Sequence, residues 1–519
     1  MGKMGFHEKW IELIMNCITF VSYSILVNGG AYGSITPTRG LRQGDPISPY
    51  IFLLCADAFS SLINNAALNQ KISGVSICRG CPRITHLFFA DDSLLFCKAN
   101  GQECQHLIEI LQLYEAASGQ KINADKSFIF FSNNTPEDRR DEVLNVLGPM
   151  QVIRHKKYLG LPSIIGKSRV EIFAKVKERV EKKLSGWKEK MLSVGNREIL
   201  IKVVAQAIPT YTMSCFQIPK SICDDIEGMM RKFWWGQRDS ESKVAWVSWK
   251  KMCKSKLNGG MGFRNLQAFN LAMLAKQGWR LISNPNSLVA QLYKAKYYPH
   301  GDVFNAKLGS SLSYTWRSIL KGLEVVRRGT WWQVGNGERI FIWEDKWLPT
   351  PTTYKVISPP KPFNDYPRVS ALIDRDTRRW KSDVVRSLFL PFEVRTILNI
   401  PLNRSLPEDQ IIWAGNKKGE FSVKSAYYIA TKVLDTKEEG ESSSGDARSP
   451  LWKKLWHLNI PPKVRIFAWK MCMNSLPTLV NFQRRSINTY DICPACGKEP
   501  ESNFHIFVKC EVARRVWSC

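Results

Sequence analysis

The chain has 519 residues and 44% hydrophobic content, which is the composition of an ordinary globular protein with room for about three domains. Its 74 Lys and Arg outnumber its 46 Asp and Glu, so the formal net charge is +28 and the pI is about 9.6. Such an excess favours a polyanionic partner, because basic side chains that neutralise phosphates release condensed counterions. A basic surface that binds nothing is the alternative interpretation.

The N-terminal residues contain no pattern typical of a secretory signal. The longest apolar stretch, 14–27, is interrupted by polar residues and is shorter than the ~20 residues that a membrane-spanning helix requires. We therefore expect an intracellular protein of the nucleus or cytoplasm that is neither secreted nor bound to a membrane. In a reducing compartment, paired cysteines bind metal more readily than they form disulfides.

Up to about residue 165, short apolar runs alternate with turns, and one longer amphipathic helix is predicted over Ser48–Leu68. The segment 86–96 reads as two apolar strands joined by four residues that include Asp91 and Asp92. Adjacent carboxylates repel each other unless a cation lies between them, and Mg²⁺ prefers such oxygen ligands. The pattern indicates a β-hairpin with a magnesium site at its tip, although paired aspartates are also common in plain turns.

Farther along, apolar residues recur at helical spacing from Arg169 to Trp187 between lysines and arginines, which predicts a basic amphipathic helix. Tryptophans are frequent between about 230 and 430, where they either fill cores or stack on nucleic-acid bases. The polar stretch 435–449 is predicted to be a flexible linker.

The segment 450–519 ends in a cluster of metal-binding residue types. Cys493 and Cys496 are separated by two residues, and His505 and Cys510 follow them. Three thiolates and one imidazole form a closed, tetrahedral structural Zn²⁺ site. Free thiols packed in a small core are the alternative. A second pair, Cys78 and Cys81, has no partner pair nearby and is interpreted as part of a loop.

Four motifs occur in the order found in a reverse transcriptase palm: 39–49 with its Gln-Gly-Asp-Pro core, 89–92, 118–127 and 157–162. Later segments resemble the connector of plant LINE-type non-LTR retrotransposons, and the cysteine cluster resembles the zinc-binding domain of plant retroelement reverse transcriptases. The later segments are 259–263, 275–280, 315–319 and 342–347.

This resemblance implies an α+β fold with a partial palm made of an antiparallel sheet and helices. The palm is followed by a mostly helical thumb and connector and by a small zinc-binding domain. The implied domains are a partial palm at 1–165, a thumb-like region at 166–290, a Trp-rich connector at 291–434, the linker at 435–449, and the zinc-binding domain at 450–519.

The resemblance also implies RNA-directed DNA polymerase activity on an RNA template and a DNA primer with deoxynucleoside triphosphates. Asp91 and Asp92 are then the catalytic Mg²⁺ ligands of a two-metal site. The residues implied to contact the nucleotide or template are Arg39, Gln43, Gly44 and Lys126. Lys126 can equally be a lysine on an exposed turn.

The sequence departs from the reverse transcriptase pattern before the Gln-Gly motif. A palm normally carries its first metal-binding aspartate there, but no Asp precedes Asp45, and Glu8 and Glu12 lie on an expected helix. We therefore expect a chain truncated at both ends, whose two-metal site is incomplete and which is inactive alone. A non-catalytic protein derived from a retroelement, which binds nucleic acid or acts as a zinc-dependent interaction protein, is the alternative hypothesis.

Overall fold

The structure is a computed structural model that describes residues 1–37, 42, 44–148, 150–153, 157–162, 165–166, 168–188, 192–237, 243–309, 313–350, 353–360, 367–416, 418–435 and 449–518. Most of the expected linker, 436–448, is outside these ranges. The chain divides into unit 1 (Met1–Leu159 and Gln291–Pro299) and unit 2 (Gly160–Ala290 and His300–Cys519). Each unit is described separately.

The described residues of unit 1 combine α-helices with short strands. Its helices are α1 (Glu8–Thr19), α2 (Ser48–Leu68), α3 (Gly101–Ser118) and α4 (Glu137–Leu147). Its strands are β1 (Tyr23–Val27), β2 (Gly30–Ile35), β3 (His86–Phe89), β4 (Asp92–Leu95), β5 (Phe128–Ile129), β6 (Gln151–Val152) and β7 (Lys157–Tyr158). Strands β1 and β2 form one antiparallel hairpin, β3 and β4 form another, and β5 and β6 pair in parallel.

Helices α2 and α3 form the centre of unit 1. Ala66 of α2 and Leu107 of α3 pack with Ile72 in a small core. Helix α2 begins as the sequence predicts, with Pro49 in its first turn, where the missing N–H has no helical partner to lose. The core therefore positions α2 against α3, and these two helices support the acidic hairpin.

Helix α2 bears on the expectation that the chain has no apolar segment long enough to span a membrane. Within the described ranges, it is the one helix that is long and apolar enough to cross a membrane by length and composition. The apolar stretch 14–27, which the sequence suggested as the longest, is not this segment. Phe59, Ile63 and Ala66 of α2 are buried, and the other residues of the helix are half-buried or exposed. A single helix of this kind is weak evidence for a membrane span.

Unit 2 is mostly helical. Its helices are α5 (Arg169–Lys188), α6 (Val194–Leu200), α7 (Thr210–Cys215), α8 (Lys220–Trp235), α9 (Trp249–Cys253), α10 (Leu266–Ser283), α11 (Leu288–Tyr297, whose residues from Gln291 belong to unit 1), α12 (Tyr314–Gly329), α13 (Ser382–Leu388), α14 (Pro391–Leu398), α15 (Val423–Asp435), α16 (Ser449–His457), α17 (Pro462–Cys472), α18 (Leu479–Gln483) and α19 (Glu511–Ser518). Its strands are β8 (Leu161–Pro162), β9 (Thr330–Gln333), β10 (Ile373–Asp374), β11 (Arg379–Trp380) and β12 (Gln410–Trp413).

The main core of unit 2 joins segments that are far apart in the sequence. Trp234 and Phe263 pack there together with Trp452 of α16 and Trp469 of α17. The Trp469 Nε1–H group donates to the carbonyl oxygen of Gly259 at 2.9 Å. Helices α16 and α17, which the sequence analysis assigned to a separate zinc-binding domain, therefore pack in the same core as α5 to α10.

The tryptophans of unit 2 mostly fill cores, which is one of the two roles that the sequence left open. Trp316, Trp347 and Trp413 are fully buried. A second core, built from 334–397, surrounds Trp347 and Trp380. Helices with small, mainly two-stranded sheets confirm the α+β fold class. The five domain boundaries stay predictions.

Glu227 of α8 is a partly buried acid beside the main core of unit 2. Its Oε1 atom accepts a hydrogen bond from the backbone N–H of Leu266 at 2.6 Å, at the start of α10. Burial raises the pKa of Glu227 from its ordinary value to about 7; the Leu266 N–H opposes this shift, and the charge of Asp224 adds to it. Folding therefore favours the protonated form of this side chain.

A pH-dependent stability follows from Glu227. Because its pKa is higher in the folded chain, its contribution to the free energy of unfolding is complete below about pH 4.3 and is lost as the pH rises towards 7, a difference of about 3 kcal/mol. We expect Glu227→Gln to remove this loss, so the variant gains stability relative to wild type between pH 5 and pH 8. Urea unfolding at both pH values measures the difference, with the exposed Glu178→Gln as the control. If the free energies of unfolding of Glu227→Gln and wild type differed by the same amount at pH 5 and at pH 8, this prediction would be contradicted.

Candidate functional site

The acidic hairpin is tighter than the sequence suggests. Phe89 pairs with Asp92, so Ala90 and Asp91 alone form the turn, and Asp92 is already the first residue of β4. Ala90 has a left-handed φ of 50°, a conformation that two-residue hairpin turns use. Asp91 and Asp92 are both exposed. Two carboxylates are thus presented to solvent at the end of a short antiparallel ribbon.

Helix α2 anchors this ribbon through aromatic and polar contacts. The ring of Phe59 stacks on Phe88 of β3 at 5.1 Å between centroids and on Tyr114 of α3 at 4.4 Å. The hydroxyl of Ser60 lies 2.8 Å from His86 Nε2. Burial lowers the pKa of His86, which favours the neutral imidazole. The base of the hairpin is therefore held to the helices while its acidic tip is exposed.

Tyr158 lies close enough to the hairpin to interact with its charge. Burial raises the pKa of Tyr158, and the negative charge of Asp92 raises it further. The protonated phenol is thus the favoured form beside the acidic tip. Tyr158 belongs to the motif 157–162, and no spacing rule in the sequence marks it as a neighbour of Asp92.

The structure says little about the four residues that the resemblance implies contact the nucleotide or template. Arg39 and Gln43 lie outside the described residues. Gly44 has a φ of 92°, and no atom lies within 4 Å of the position that a Cβ would take. Lys126 is exposed on the 3-10 turn Ala124–Lys126, and its backbone N–H donates to Asn123 Oδ1 at 3.2 Å. The roles proposed for these four residues stay predictions.

The four cysteine and histidine residues near the C-terminus come together. The ligand atoms of Cys493, Cys496, His505 and Cys510 all lie within 4.8 Å of one another. Cys493, His505 and Cys510 are buried, and Cys496 is half-buried. In the described part of the chain, this is the one group of three or more His, Cys, Asp or Glu that could hold a metal ion. Asp91 and Asp92 accordingly have no third carboxylate or imidazole ligand among the described residues.

Local structure explains why the four ligands converge. Gly497, with a φ of 67°, closes the turn after Cys496, and its N–H donates to the Cys493 carbonyl at 2.8 Å. The backbone N–H groups of Lys498 and Glu499 donate to the Cys496 sulfur and are the largest cause of its pKa falling to about 6. His505 begins the π-helical turn His505–Lys509, after which Cys510 precedes α19. We call residues 479–518, which contain these elements, the zinc module.

The second nitrogen of His505 has its own partner. His505 Nε2 lies 3.3 Å from Cys496 Sγ, whereas Nδ1 lies 3.1 Å from Glu499 Oε2. A carboxylate on the far nitrogen of a histidine fixes the ring and increases the basicity of the nitrogen that binds the metal. Three sulfurs and one imidazole nitrogen in this arrangement fit a structural Zn²⁺ site. Glu499 was not predicted from the sequence, because no spacing rule identifies such a partner.

Removing the Glu499 carboxylate should weaken zinc binding without removing a ligand. We expect Glu499→Ala to lower zinc affinity by about 10- to 100-fold, the usual effect of losing such a partner. Competition with a chromophoric zinc chelator measures the affinity, and Glu501→Ala in the same module is the control. Equal affinities for wild type and Glu499→Ala would show that the 3.1 Å contact does not support the metal ligand.

Comparisons with known proteins agree with both parts of this arrangement. The family model for reverse transcriptase (RNA-dependent DNA polymerase) matches residues 1–162, which include the acidic hairpin. The family model for zinc-binding in reverse transcriptase matches residues 421–517, which include all four cluster residues. The second match begins N-terminal to the domain boundary predicted at 450.

Relatives in plants and insects extend the match. An Arabidopsis thaliana protein that is named as a ribonuclease H protein is 29% identical over 364 residues. These residues are 69% of this chain and 57% of that protein. An uncharacterized mitochondrial protein of the same plant is 41% identical over 143 residues, 27% of this chain and 93% of that protein. The Pol polyprotein from a type-1 retrotransposable element of Popillia japonica is 26% identical over 168 residues, 31% of this chain and 27% of that protein.

The chain belongs to the reverse transcriptases of plant LINE-type non-LTR retrotransposons. The resemblance read from the sequence motifs is therefore confirmed. Membership in this family implies nucleic-acid binding, and the zinc-binding family match agrees with the Cys3His cluster. This reverse transcriptase chain spans 57% of the length of the first relative above.

Proposed function

We propose that this chain is the part of an RNA-directed DNA polymerase that carries the palm hairpin, the thumb, the connector and the zinc module. It would extend a DNA primer on an RNA template with deoxynucleoside triphosphates. The observation that carries the proposal is the hairpin β3–β4, which presents Asp91 and Asp92 to solvent at its tip. The reverse transcriptase family match over 1–162 supports it.

The hairpin and residues outside it have different roles in the proposed reaction. Asp91 and Asp92 offer the oxygen ligands that Mg²⁺ prefers. When bound, Mg²⁺ ions lower the cost of negative charge on the attacking and leaving oxygens of nucleotidyl transfer. The stacked Phe59 and Phe88 rings keep the acidic tip in position. Arg39, Gln43 and Gly44 would contact the nucleotide or template, and Lys126 would lie near the leaving pyrophosphate.

We propose further that the chain is inactive alone. A two-metal site needs a carboxylate that bridges both ions, and among the described residues none joins Asp91 and Asp92. Losing several kcal/mol of charge stabilisation slows the chemistry by roughly a hundredfold to ten-thousandfold. Activity would then require a polypeptide segment that supplies a third metal-binding carboxylate.

A second candidate function is nucleic-acid binding without catalysis, in which the palm serves only as a scaffold. The net charge of +28 supports nucleic-acid binding, because basic residues neutralise phosphates, and this candidate requires no metal site at the hairpin. A zinc-dependent interaction protein derived from a retroelement is a variant of the same candidate. Both candidates expect nucleic-acid binding, and they differ in whether Asp91 matters once a third carboxylate is supplied.

Primer extension on an oligo(dT)-primed poly(rA) template with Mg²⁺ separates the two candidates. The chain is compared with a version preceded by the segment of a related reverse transcriptase that carries the first aspartate. Each version is tested as wild type, as Asp91→Ala and as Asp141→Ala, an exposed aspartate of α4 that serves as the control.

We expect synthesis only by the extended version, and we expect it to disappear in Asp91→Ala but not in Asp141→Ala. Synthesis by the unextended chain that depends on Asp91 would overturn the proposed inactivity. If the extended version binds template-primer but does not synthesise DNA, the non-catalytic candidate is favoured.

A further inference from the structure

The zinc module and α17 present exposed aromatic rings that the metal site does not use. Phe467 of α17 is 46% exposed, Phe504 is 59% exposed and Trp517 of α19 is 73% exposed. Apolar rings of this size are normally buried, because each removes a large area from water on burial. Their exposure in one part of unit 2 therefore indicates a binding surface.

Direct contacts connect rings from three elements. The Phe467 ring meets the Phe507 ring edge-on at 5.8 Å between centroids. The Trp517 Nε1–H group donates to the carbonyl oxygen of Phe507 at 2.7 Å. Phe504 and Phe507 are three residues apart on the segment that carries His505. We call these four residues the aromatic ridge.

The zinc ligands hold the ridge in place. His505 lies between Phe504 and Phe507, and Cys510 directly precedes α19, which carries Trp517. The hydrogen bond to Phe507 fixes the Trp517 indole while most of its surface stays exposed. The metal site is closed by its four protein ligands, so it would order the ridge without taking part in chemistry.

Each exposed ring has a basic side chain near it. Lys463 is exposed one helical turn before Phe467 on α17. Lys509 Nζ lies 5.7 Å from the Phe504 ring centroid. Arg514 is exposed three residues before Trp517 on α19. Residues 450–518 contain eleven Lys and Arg but only four Asp and Glu. Rings that alternate with cations match a chain of bases and phosphates.

From this arrangement we infer that the aromatic ridge is a binding site for single-stranded nucleic acid. Unpaired bases stack on Phe467, Phe504 and Trp517, and the backbone phosphates contact Lys463, Lys509 and Arg514. Bases inside a duplex are already stacked on each other, so the rings select single strands, whereas the cations alone would not. The site contains neither Asp91 nor Asp92, so it does not depend on the proposed polymerase activity.

Fluorescence anisotropy of the zinc-loaded full chain tests this inference. The probe is a labelled single-stranded oligo(U), and an excess of unlabelled duplex RNA occupies the other basic surfaces. The variants are Phe467→Ala and Trp517→Ala, with Phe392→Ala as a matched control, because Phe392 is also about half exposed on α14 of unit 2. Zinc content and thermal unfolding confirm that each variant is folded.

We expect each ridge variant to bind oligo(U) roughly 5- to 100-fold more weakly, the range found when a ring that stacks on a base is replaced by alanine. Duplex binding, measured without competitor, stays unchanged, and so do both affinities of Phe392→Ala. Equal losses for single strands and duplex would overturn the stacking interpretation, as would no loss at all. A changed oligomeric state instead of changed RNA affinity would show that the ridge binds protein.

A second measurement locates the contact directly. Oligo(U) containing 4-thiouridine is crosslinked to the full chain by light, and the modified peptides are identified by mass spectrometry. We expect crosslinks in the peptides that contain Phe467 and Trp517, also in the Asp91→Ala variant. Crosslinks confined to peptides outside 462–518 would overturn the inference, whatever the outcome of the polymerase experiment.

Discussion

Replacing Cys510 with serine is expected to unfold the zinc module while the main core of unit 2 stays folded. Zinc binding supplies apparent folding free energies of about 10–16 kcal/mol in small zinc-finger peptides, so a module built around four zinc ligands is expected to depend on the metal. Cys510 connects the π-helical turn to α19. By contrast, Trp452 and Trp469 are buried in the main core together with Trp234, so α16 and α17 should not depend on the metal.

Hydrogen exchange with peptide resolution distinguishes these two regions. In Cys510→Ser, and in wild type treated with a zinc chelator, we expect protection to be lost over 490–518 and kept over 452–470. Elemental analysis should find one zinc ion per wild-type chain and none in the variant. Cys17→Ser, at an exposed cysteine of unit 1, is the control. Full protection of 490–518 without zinc would leave packed thiols as the correct interpretation of the cluster.

The two candidate metal sites differ in how much the sequence reveals. The spacing of Cys493, Cys496, His505 and Cys510 is enough to predict a common site, because short knuckles bring such ligands together locally. Glu499 could not be predicted, since its contact with His505 depends on the three-dimensional turn around Gly497. A ligand set is thus visible in sequence spacing, whereas its supporting hydrogen bonds are a tertiary property.

The acidic hairpin was predicted correctly, but its turn was predicted to be two residues longer than it is. Ala90 and Asp91 carry none of the usual signals of a two-residue turn, in which Asn or Gly takes the left-handed positions. The sequence therefore suggested a four-residue connection, and the structure moves Asp92 into β4. Asp91 thus lies in the turn, whereas Asp92 is the first residue of the strand.

Long-range packing accounts for the rest of what the sequence did not show. Many tryptophans fill cores as expected, but nothing in the local pattern indicates that Trp469 donates to Gly259, 210 residues away. The polar stretch 435–449 is predicted to be a linker before the zinc-binding domain at 450–519, and α16 and α17 of that segment pack with helices that precede the stretch. Composition predicts a linker, but it does not reveal which surfaces the segments on either side bury.

Asp409 provides another long-range contact, and its removal is expected to be among the most destabilising single changes in unit 2. This aspartate is almost fully buried. One of its oxygens accepts from the backbone N–H groups of Gly335 at 2.7 Å and Gly337 at 2.9 Å, and the other accepts from Arg339 N–H at 2.9 Å. The carboxylate therefore holds a loop about 70 residues away in sequence.

Glycines are needed where this loop closes around Asp409. A Cβ on Gly335 would lie 2.1 Å from the Pro407 carbonyl oxygen, and Gly337 has a φ of 71°. The loop leads directly into Ile340 and Ile342, which are buried in the second core. Three converging N–H groups form a concave site for an anion, and in this protein the chain's own carboxylate fills it.

We expect Asp409→Ala to lower the free energy of unfolding by roughly 3–9 kcal/mol, because three N–H groups lose their acceptor at about 1–3 kcal/mol for each buried unpaired group. Asp409→Asn should cost less, since its amide oxygen can still accept from Gly335 and Gly337 while its NH2 group faces the Arg339 N–H. Urea unfolding followed by tryptophan fluorescence measures both, with the exposed Asp376→Ala as the control. If Asp409→Ala were as stable as Asp376→Ala, the loop would be held by the packing of Ile340 and Ile342 alone, and the buried carboxylate would have no role in stability.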